Sequence, residues 1–178
     1  MNCMQGEVAG KKASVYIQRA RADVKRLIDE RASRHDLLNY LTTVGEAISG
    51  GGSVSSILLL DEKGLLINGA SPKLPDDYLQ AIDKLKPDEN VGTCAAAAAT
   101  GSVVITADFL ADDKWAELKH LPMALGFHAA WSTPIMSKTG SVLGTFGTYY
   151  RERRSPTQSE IRDIGMLASI AAELIESF

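Results

Sequence analysis

The chain has 178 residues, 45% of them hydrophobic and 23% charged, with a net charge of −3. This mixture is typical of one globular domain of about 150 residues with an appendage, and it lacks the basic balance of a nucleic-acid-binding protein. No apolar run approaches the roughly 18 residues that span a bilayer, and residues 1–10 lack the pattern of a secretory signal. We therefore expect a cytoplasmic protein with no membrane and no nucleic-acid partner.

Residues suited to metal binding or disulfide formation are scarce. Cys3 and Cys94 are the only cysteines, too few for a disulfide framework or a four-ligand zinc site. The three histidines are far apart, and Asp108, Asp112 and Asp113 are explained more simply as capping and turn residues. The sequence predicts no metal site.

The first part of the chain is predicted to be a basic helix. Eight basic and three acidic residues lie between Lys11 and Arg34, which leaves the remainder of the chain at a net charge of −8. Apolar and small residues recur at spacings of three and four: Ile17, Ala20, Val24, Leu27, Leu38, Leu41, Gly45 and Ile48. We predict a helix over residues 14–49, with a possible break near Ser33, ended by the glycines at 50–52. Residues 1–13 are expected to be disordered or poorly ordered.

The rest of the chain alternates short helices with strands. In chain order the patterns predict strands over 54–60 and 65–70, helices over 76–85 and 92–99, a strand over 102–106, a helix over 110–125, strands over 128–135 and 142–150, and a final helix from 156 onward. Two local hairpins with helices between and around them indicate an α+β fold on a mostly antiparallel sheet. The apolar run at 57–60 predicts that the first strand is central. One sheet face should pack on the terminal helices, and residues 71–127 should roof the other and leave room for a cavity.

Several short sequence blocks follow one another in order along the chain: Val91-Gly92-Thr93-Cys94, Thr100 to Asp108, Trp115, Gly126 to Ile135, Gly140, Val142 to Phe146, Tyr149-Tyr150-Arg151 and Arg154 to Thr157. In this order they resemble a GAF domain of the type found in bacterial sensor kinases and cyclic-nucleotide turnover enzymes. The resemblance extends from about residue 38 to residue 175. It implies a GAF/PAS-like sheet of five to six antiparallel strands, with helices on both faces and long N- and C-terminal helices.

The resemblance also implies a function in signal transduction. We expect residues 14–49 to form a signalling and dimerisation helix and residues 50–178 to form a sensory domain without catalytic residues. Apolar stripes on the terminal helices predict a parallel homodimer. Because the chain has no room for an output domain, we expect a kinase or cyclase domain, or a partner chain as in two-component systems, to act on the signal.

The best candidate for ligand binding is the start of the helix predicted near residue 92, because backbone N–H groups and the helix dipole can hold a small anion or a carbonyl there. The residues concerned are Gly92, Thr93, Cys94, Ala95 and Ala96. Further candidates for the same cavity are Trp131, Leu58, Leu60, Ile67, Val104, Phe109, Phe146 and Tyr149, although core packing is the commoner role of such residues. Trp115 is interpreted as a core residue. The expected ligand is an unidentified oxyanion, nucleotide or small organic acid, and no cofactor is predicted.

Two alternatives to ligand sensing stay open. Related sequences commonly have glycine after the cysteine of the Val-Gly-Thr-Cys block. The methyl group of Ala95 here narrows the site or alters its ligand, which keeps a ligand-free interaction module open as an alternative. One GAF family reduces free methionine sulfoxide with cysteines, so Cys94 suggests an enzyme. That chemistry uses further cysteines downstream, and none follows Cys94.

Overall fold

A computed structural model describes the backbone of residues 3–178 and the side chains from Val15 onward. The helices are α1 (Cys3–Asp29), α2 (Arg34–Ser49), α3 (Asp76–Ala81), α4 (Cys94–Thr100), α5 (His120–Ala124) and α6 (Gln158–Ser177), with a 3-10 helix over Asp113–Trp115. The strands are β1 (Val54–Leu60), β2 (Leu66–Ala70), β3 (Val104–Thr106), β4 (Ala129–Met136) and β5 (Val142–Tyr150). Within the described part of the chain, no helix is long and apolar enough to cross a membrane.

The strands form one antiparallel sheet in the order β2-β1-β5-β4-β3. The predicted α+β architecture and both hairpins are confirmed, and the sheet has five strands. The prediction that β1 is the central strand is wrong, because β5 occupies the centre and β1 lies between β5 and β2. Both faces of β1 are nevertheless covered, and this explains its continuous apolar run without a central position.

Each face of the sheet has its own hydrophobic core. On the helix face, Trp131 and Phe146 pack with α1, α2 and α6, which we call the terminal helices. On the roof face, Leu58 and Tyr149 pack under residues 71–127, which we call the roof. Since successive strand residues point to opposite faces, each interior strand contributes to both cores.

The N-terminal helix pair is broken close to the predicted position. A left-handed residue, Arg31 (φ 64°), follows α1, and Ser33 then starts α2 with a capping box closed by Asp36. The helix begins at Cys3 rather than at the predicted residue 14, and residues 1 and 2 of the predicted poorly ordered segment lie outside the described residues. The division into a signalling helix and a sensory domain stays a prediction.

Three consecutive glycines connect α2 to the sheet. Gly50, Gly51 and Gly52 have φ of 63°, 61° and 72°, a region that residues with a Cβ rarely adopt. Gly50 also caps α2, since its N–H donates to the carbonyl of Glu46. The prediction that these glycines end the helix is confirmed.

The predicted helix over residues 110–125 is wrong. The carboxylate of Asp112 accepts hydrogen bonds from Lys114 N (3.0 Å) and Thr106 Oγ1 (2.6 Å), which fixes a tight 3-10 turn instead. Pro122 has no N–H to continue a helical ladder and lies near the start of the short α5. The roof therefore consists of short elements rather than one long helix.

Candidate functional site

A small apolar pocket lies between the roof and the centre of the sheet. It is lined by Leu58, Tyr78, Ile82, Leu85, Val91, Gly92, Thr93, Cys94, Ala95, Trp115, Leu118, Leu121 and Tyr149. The volume of this cavity is about 20 Å³, which is room for about one water molecule. In this structure the pocket is nearly filled by its own side chains, and a larger occupant requires the roof to move.

Two tyrosines form one polar contact of the pocket. The hydroxyls of Tyr78 on α3 and Tyr149 on β5 are 2.7 Å apart, and their rings meet edge to face at 6.0 Å. Burial raises the pKa of both phenols, so both are neutral at physiological pH. The pair joins a roof helix to the central strand.

Cys94 forms the second polar contact at the start of α4. Its Sγ lies 3.1 Å from Ser132 Oγ, and Ser132 Oγ donates to Thr93 Oγ1 at 3.0 Å. Burial raises the pKa of the Cys94 thiol, although the hydroxyls of Ser132, Thr145 and Thr93 oppose this effect. The residue is therefore a neutral thiol in a hydrogen-bonded chain and not an activated thiolate.

The start of α4 is held by its neighbours in the roof. Gly92 has φ 56°, and its N–H donates to the carbonyl of Lys114 at 2.8 Å. Thr93 makes no side-chain cap to its own helix and instead accepts the hydroxyl of Ser132. Ala95 is fully buried and contributes its methyl group to the pocket wall.

The structure brings together six of the predicted site residues in this pocket: Leu58, Gly92, Thr93, Cys94, Ala95 and Tyr149. Four others, Leu60, Ala96, Val104 and Phe109, lie on the roof side of the sheet or within the roof but do not line the pocket. Phe109 supports it from behind, with its ring 4.4 Å from that of Trp115.

The expectation that Trp131, Ile67 and Phe146 line the same cavity is wrong. All three belong to the core on the helix face, one residue out of phase with the roof-facing positions of their strands. Trp131 donates its indole N–H to the hydroxyl of Tyr150 at 2.9 Å, so this buried donor has its partner within the helix-face core.

Apart from Gly92 to Ala95, sequence reasoning missed the pocket residues that the roof contributes. Tyr78, Ile82 and Leu85 recur at spacings of four and three, which is the signal of one apolar face and could have placed them together. The sequence favours a core position for Trp115, and this residue does pack in the roof core, but it also lines the pocket.

A larger open groove of about 590 Å³ is formed by roof residues and contains Asp108, Asp112 and Asp113. Two of its carboxylates already have cationic partners, since Asp108 pairs with Arg153 and Asp112 with Lys114. No group of three metal-ligating side chains occurs in the part of the chain whose side chains are described. The groove therefore does not resemble a metal centre.

A five-stranded antiparallel sheet lies between the terminal helices and a roof that covers a pocket, which is the α+β architecture expected of a GAF/PAS-like domain. The family model for the GAF domain matches residues 31–176, and the chain belongs to this family. The methyl sulfide methyltransferase-associated sensor of Methanosarcina acetivorans is 32% identical over 184 residues, which cover 99% of this chain. The chain spans only 18% of that relative's length.

Solved structures share the fold at low sequence identity. The GAF domain of a phosphoenolpyruvate-protein phosphotransferase from Coxiella burnetii matches with a TM-score of 0.73 and 16% identity, over 94% of this chain and 95% of that one. Free methionine-R-sulfoxide reductase from Neisseria meningitidis matches with a TM-score of 0.66 and 16% identity, over 93% of this chain and 91% of that one. Both likenesses concern the fold alone.

Proposed function

We propose that this chain is a sensory GAF domain that binds a small molecule in the roof pocket and transmits the bound state to the terminal helices. One observation carries the proposal: the central strand β5 contributes Tyr149 to the pocket and the adjacent Tyr150 to the helix face. The sensor function of the Methanosarcina relative supports the same reading. A change in the pocket thus acts on a strand that the terminal helices also contact.

A first route for transmission leads to α6. The guanidinium of Arg154 lies 4.1 Å above the ring of Tyr150 and is paired with Glu160. Glu160 in turn closes the capping box of α6 by accepting the N–H of Thr157 at 2.7 Å. A shift at the end of β5 therefore reaches the first turn of α6 through two direct contacts.

A second route leads from the roof to α2. Lys73, in the segment that enters the roof before α3, is paired with Glu46 of α2. The carboxylate of Glu46 is only 8% exposed and also accepts Ser55 N of β1 at 3.1 Å. Because Leu74 beside Lys73 packs in the roof core, displacement of the roof acts on this ion pair.

The terminal helices are the proposed output surface. Val15 and Ile28 of α1 and Met166 of α6 are large apolar residues with 40% or more of their surface exposed. We propose that these helices form a homodimer in the cytoplasm and act on a kinase or cyclase domain, or on a partner chain, as in two-component signalling.

Two other functions make different predictions. The small volume of the pocket favours a ligand-free interaction module, in which no small molecule changes the spectrum or stability of the domain. A Cys94-dependent reductase requires a reactive thiolate, whereas burial raises the pKa of this thiol. We therefore propose a domain without enzymatic activity, and Cys94→Ser, which keeps a hydroxyl in the chain to Ser132, should preserve ligand binding.

The two tryptophans allow a direct test, because they report on opposite faces of the sheet. The indole N–H of Trp115 donates to Thr106 in the roof, and that of Trp131 donates to Tyr150 on the helix face. We expect titration with nitrate, cyclic AMP, benzoate or phenol to yield at least one probe that shifts the Trp115 signal in an ¹H–¹⁵N spectrum. The Trp131 signal should then shift with the same affinity, since the two faces share their strands.

Matched variants on α4 locate the binding site in this experiment. Ala95→Val narrows the pocket and should weaken binding, whereas Ala99→Val changes an exposed position of the same helix and should not. A ligand that shifts Trp115 without Trp131 would contradict transmission across the sheet. Spectra unchanged by every probe would support the ligand-free module.

A further inference from the structure

A row of small and polar residues crosses the middle of the roof face. Gly147 of β5 is paired with Ser56 of β1 and with Ser132 of β4. A Cβ at Gly147 would lie 3.1 Å from Cys94 Sγ and 3.2 Å from Ser56 Oγ. Because Gly147 has no side chain, the Cys94 thiol packs directly on the sheet surface there, with Ser56 beside it.

Two buried hydroxyls lie beside this contact. Ser56 is 1% exposed, and its hydroxyl has no partner among the described residues. The fully buried Thr145 hydroxyl interacts with the Cys94 thiol and lowers its pKa. Buried hydroxyls are normally satisfied, so Ser56 offers hydrogen-bonding capacity that the protein does not use, and Thr145 offers it once the thiol is displaced.

The surroundings of the pocket carry no charge. The thirteen described residues that line it are all uncharged, and so are the core residues of the roof face around it. The nearby Lys114 ammonium is engaged by the carboxylate of Asp112 at 2.9 Å. An anion in this pocket would lose its hydration without gaining a cation, whereas a neutral group would not incur this cost.

We propose that the ligand is an uncharged molecule with a largely apolar body and one hydroxyl or comparable hydrogen-bonding group. This inference rests on the proposed sensory function and narrows its ligand class. The apolar body lies among Leu58, Trp115 and Tyr149 as the roof lifts. The polar group takes the place of the Cys94 thiol above Gly147 and bonds to the hydroxyls of Ser56 and Thr145.

The test compares three probes of similar size: phenol, toluene, which lacks the hydroxyl, and benzoate, which is anionic. Binding to the full chain is measured by calorimetry and by the Trp115 indole signal. We expect phenol to bind about two- to tenfold more tightly than toluene, the effect of one hydrogen bond, and benzoate to bind more weakly than either. The variants Ser56→Ala and Thr145→Val should remove most of the phenol advantage and leave toluene affinity unchanged.

The strands supply matched controls one residue away. Ser55 and Thr148 also have buried hydroxyls without a partner among the described residues, but they belong to the helix-face positions of β1 and β5. Ser55→Ala and Thr148→Val should therefore leave the affinity for phenol unchanged. Urea unfolding of all four variants verifies that each is folded, and Thr145→Val and Thr148→Val should be as stable as the parent or more so.

The possible outcomes separate the ligand class from the sensory function. Phenol binding that weakens in Thr145→Val but not in Thr148→Val supports the inference. Equal effects of the two variants, or benzoate binding as tight as phenol binding, overturn the ligand class and leave small-molecule sensing in place. Failure of every probe, including nitrate and cyclic AMP, to shift Trp115 overturns both.

Discussion

Replacement of Gly147 by alanine tests how closely α4 must approach the sheet. The new Cβ would lie 3.1 Å from Cys94 Sγ and 3.2 Å from Ser56 Oγ, closer than ordinary contacts, so α4 or the side chains must shift. Overpacking of this kind costs about 1–3 kcal/mol, and the loss of glycine flexibility returns about 0.5–1 kcal/mol. We expect a net destabilisation of about 1–2 kcal/mol, or a decrease in Tm of about 2–8 °C for a chain of this length.

Thermal and urea unfolding of a double-mutant cycle with Cys94→Ala identifies the cause. Removing the sulfur gives the new methyl group room, so the double variant should be more stable than the sum of the two single effects predicts. Gly165→Ala on α6 is the matched control, because its Cβ meets nothing within 4 Å and should stabilise the helix by about 0.5–1 kcal/mol. Additivity within about 0.5 kcal/mol would refute the steric argument.

Two further predictions concern charge. Burial raises the pKa of Tyr149 and raises the pKa of Tyr150 to about 12. The folded state therefore keeps protons that the unfolded chain loses near pH 10. The free energy of unfolding should fall as the pH rises from about 10 to 12. In the Tyr149→Phe variant, the free energy of unfolding measured in urea should fall by about 1.4 kcal/mol less per pH unit than in the parent protein. The same pH dependence in both proteins would contradict this prediction. At neutral pH, Glu46→Ala should cost about 2 kcal/mol because the buried N–H of Ser55 loses its acceptor, whereas loss of the largely exposed ammonium in Lys73→Ala should cost under about 1 kcal/mol. The reverse order in urea unfolding would contradict this assignment.

The elements that the sequence predicts correctly are those with a strong local signal. Strand β5 was predicted with its observed bounds, Val142–Tyr150, because strand-forming residues are bounded by a turn and a charged loop. The end of α2 was predicted because three glycines cannot continue a helix. In both cases neighbouring residues alone decide the structure.

The predictions that failed depend on contacts between distant parts of the chain. The side chain of Asp112 forms its tight turn with help from Thr106, which belongs to a strand outside the predicted helix. The scarcity of tryptophan draws attention to Trp131, but it does not indicate which face of the sheet the side chain occupies. A shift of one residue along a strand moves a side chain to the opposite face. The register of β4 is set by its pairing with β3 and β5.

The candidate site was found only in part for the same reason. Gly92 to Ala95 form a contiguous motif, and a contiguous motif is visible in one sequence. Tyr78 and Trp115 reach the same pocket from separate roof segments, and their proximity arises only from the packing of the roof on the sheet.

The three left-handed glycines between α2 and β1 have a mechanical consequence. Gly50 and Gly51 are exposed, and nothing packs against the positions where their side chains would begin. We expect this glycine segment to transmit little rotation between β1 and α2. Movement of the sheet therefore reaches α2 through side-chain contacts such as that of Glu46 with Ser55 of β1.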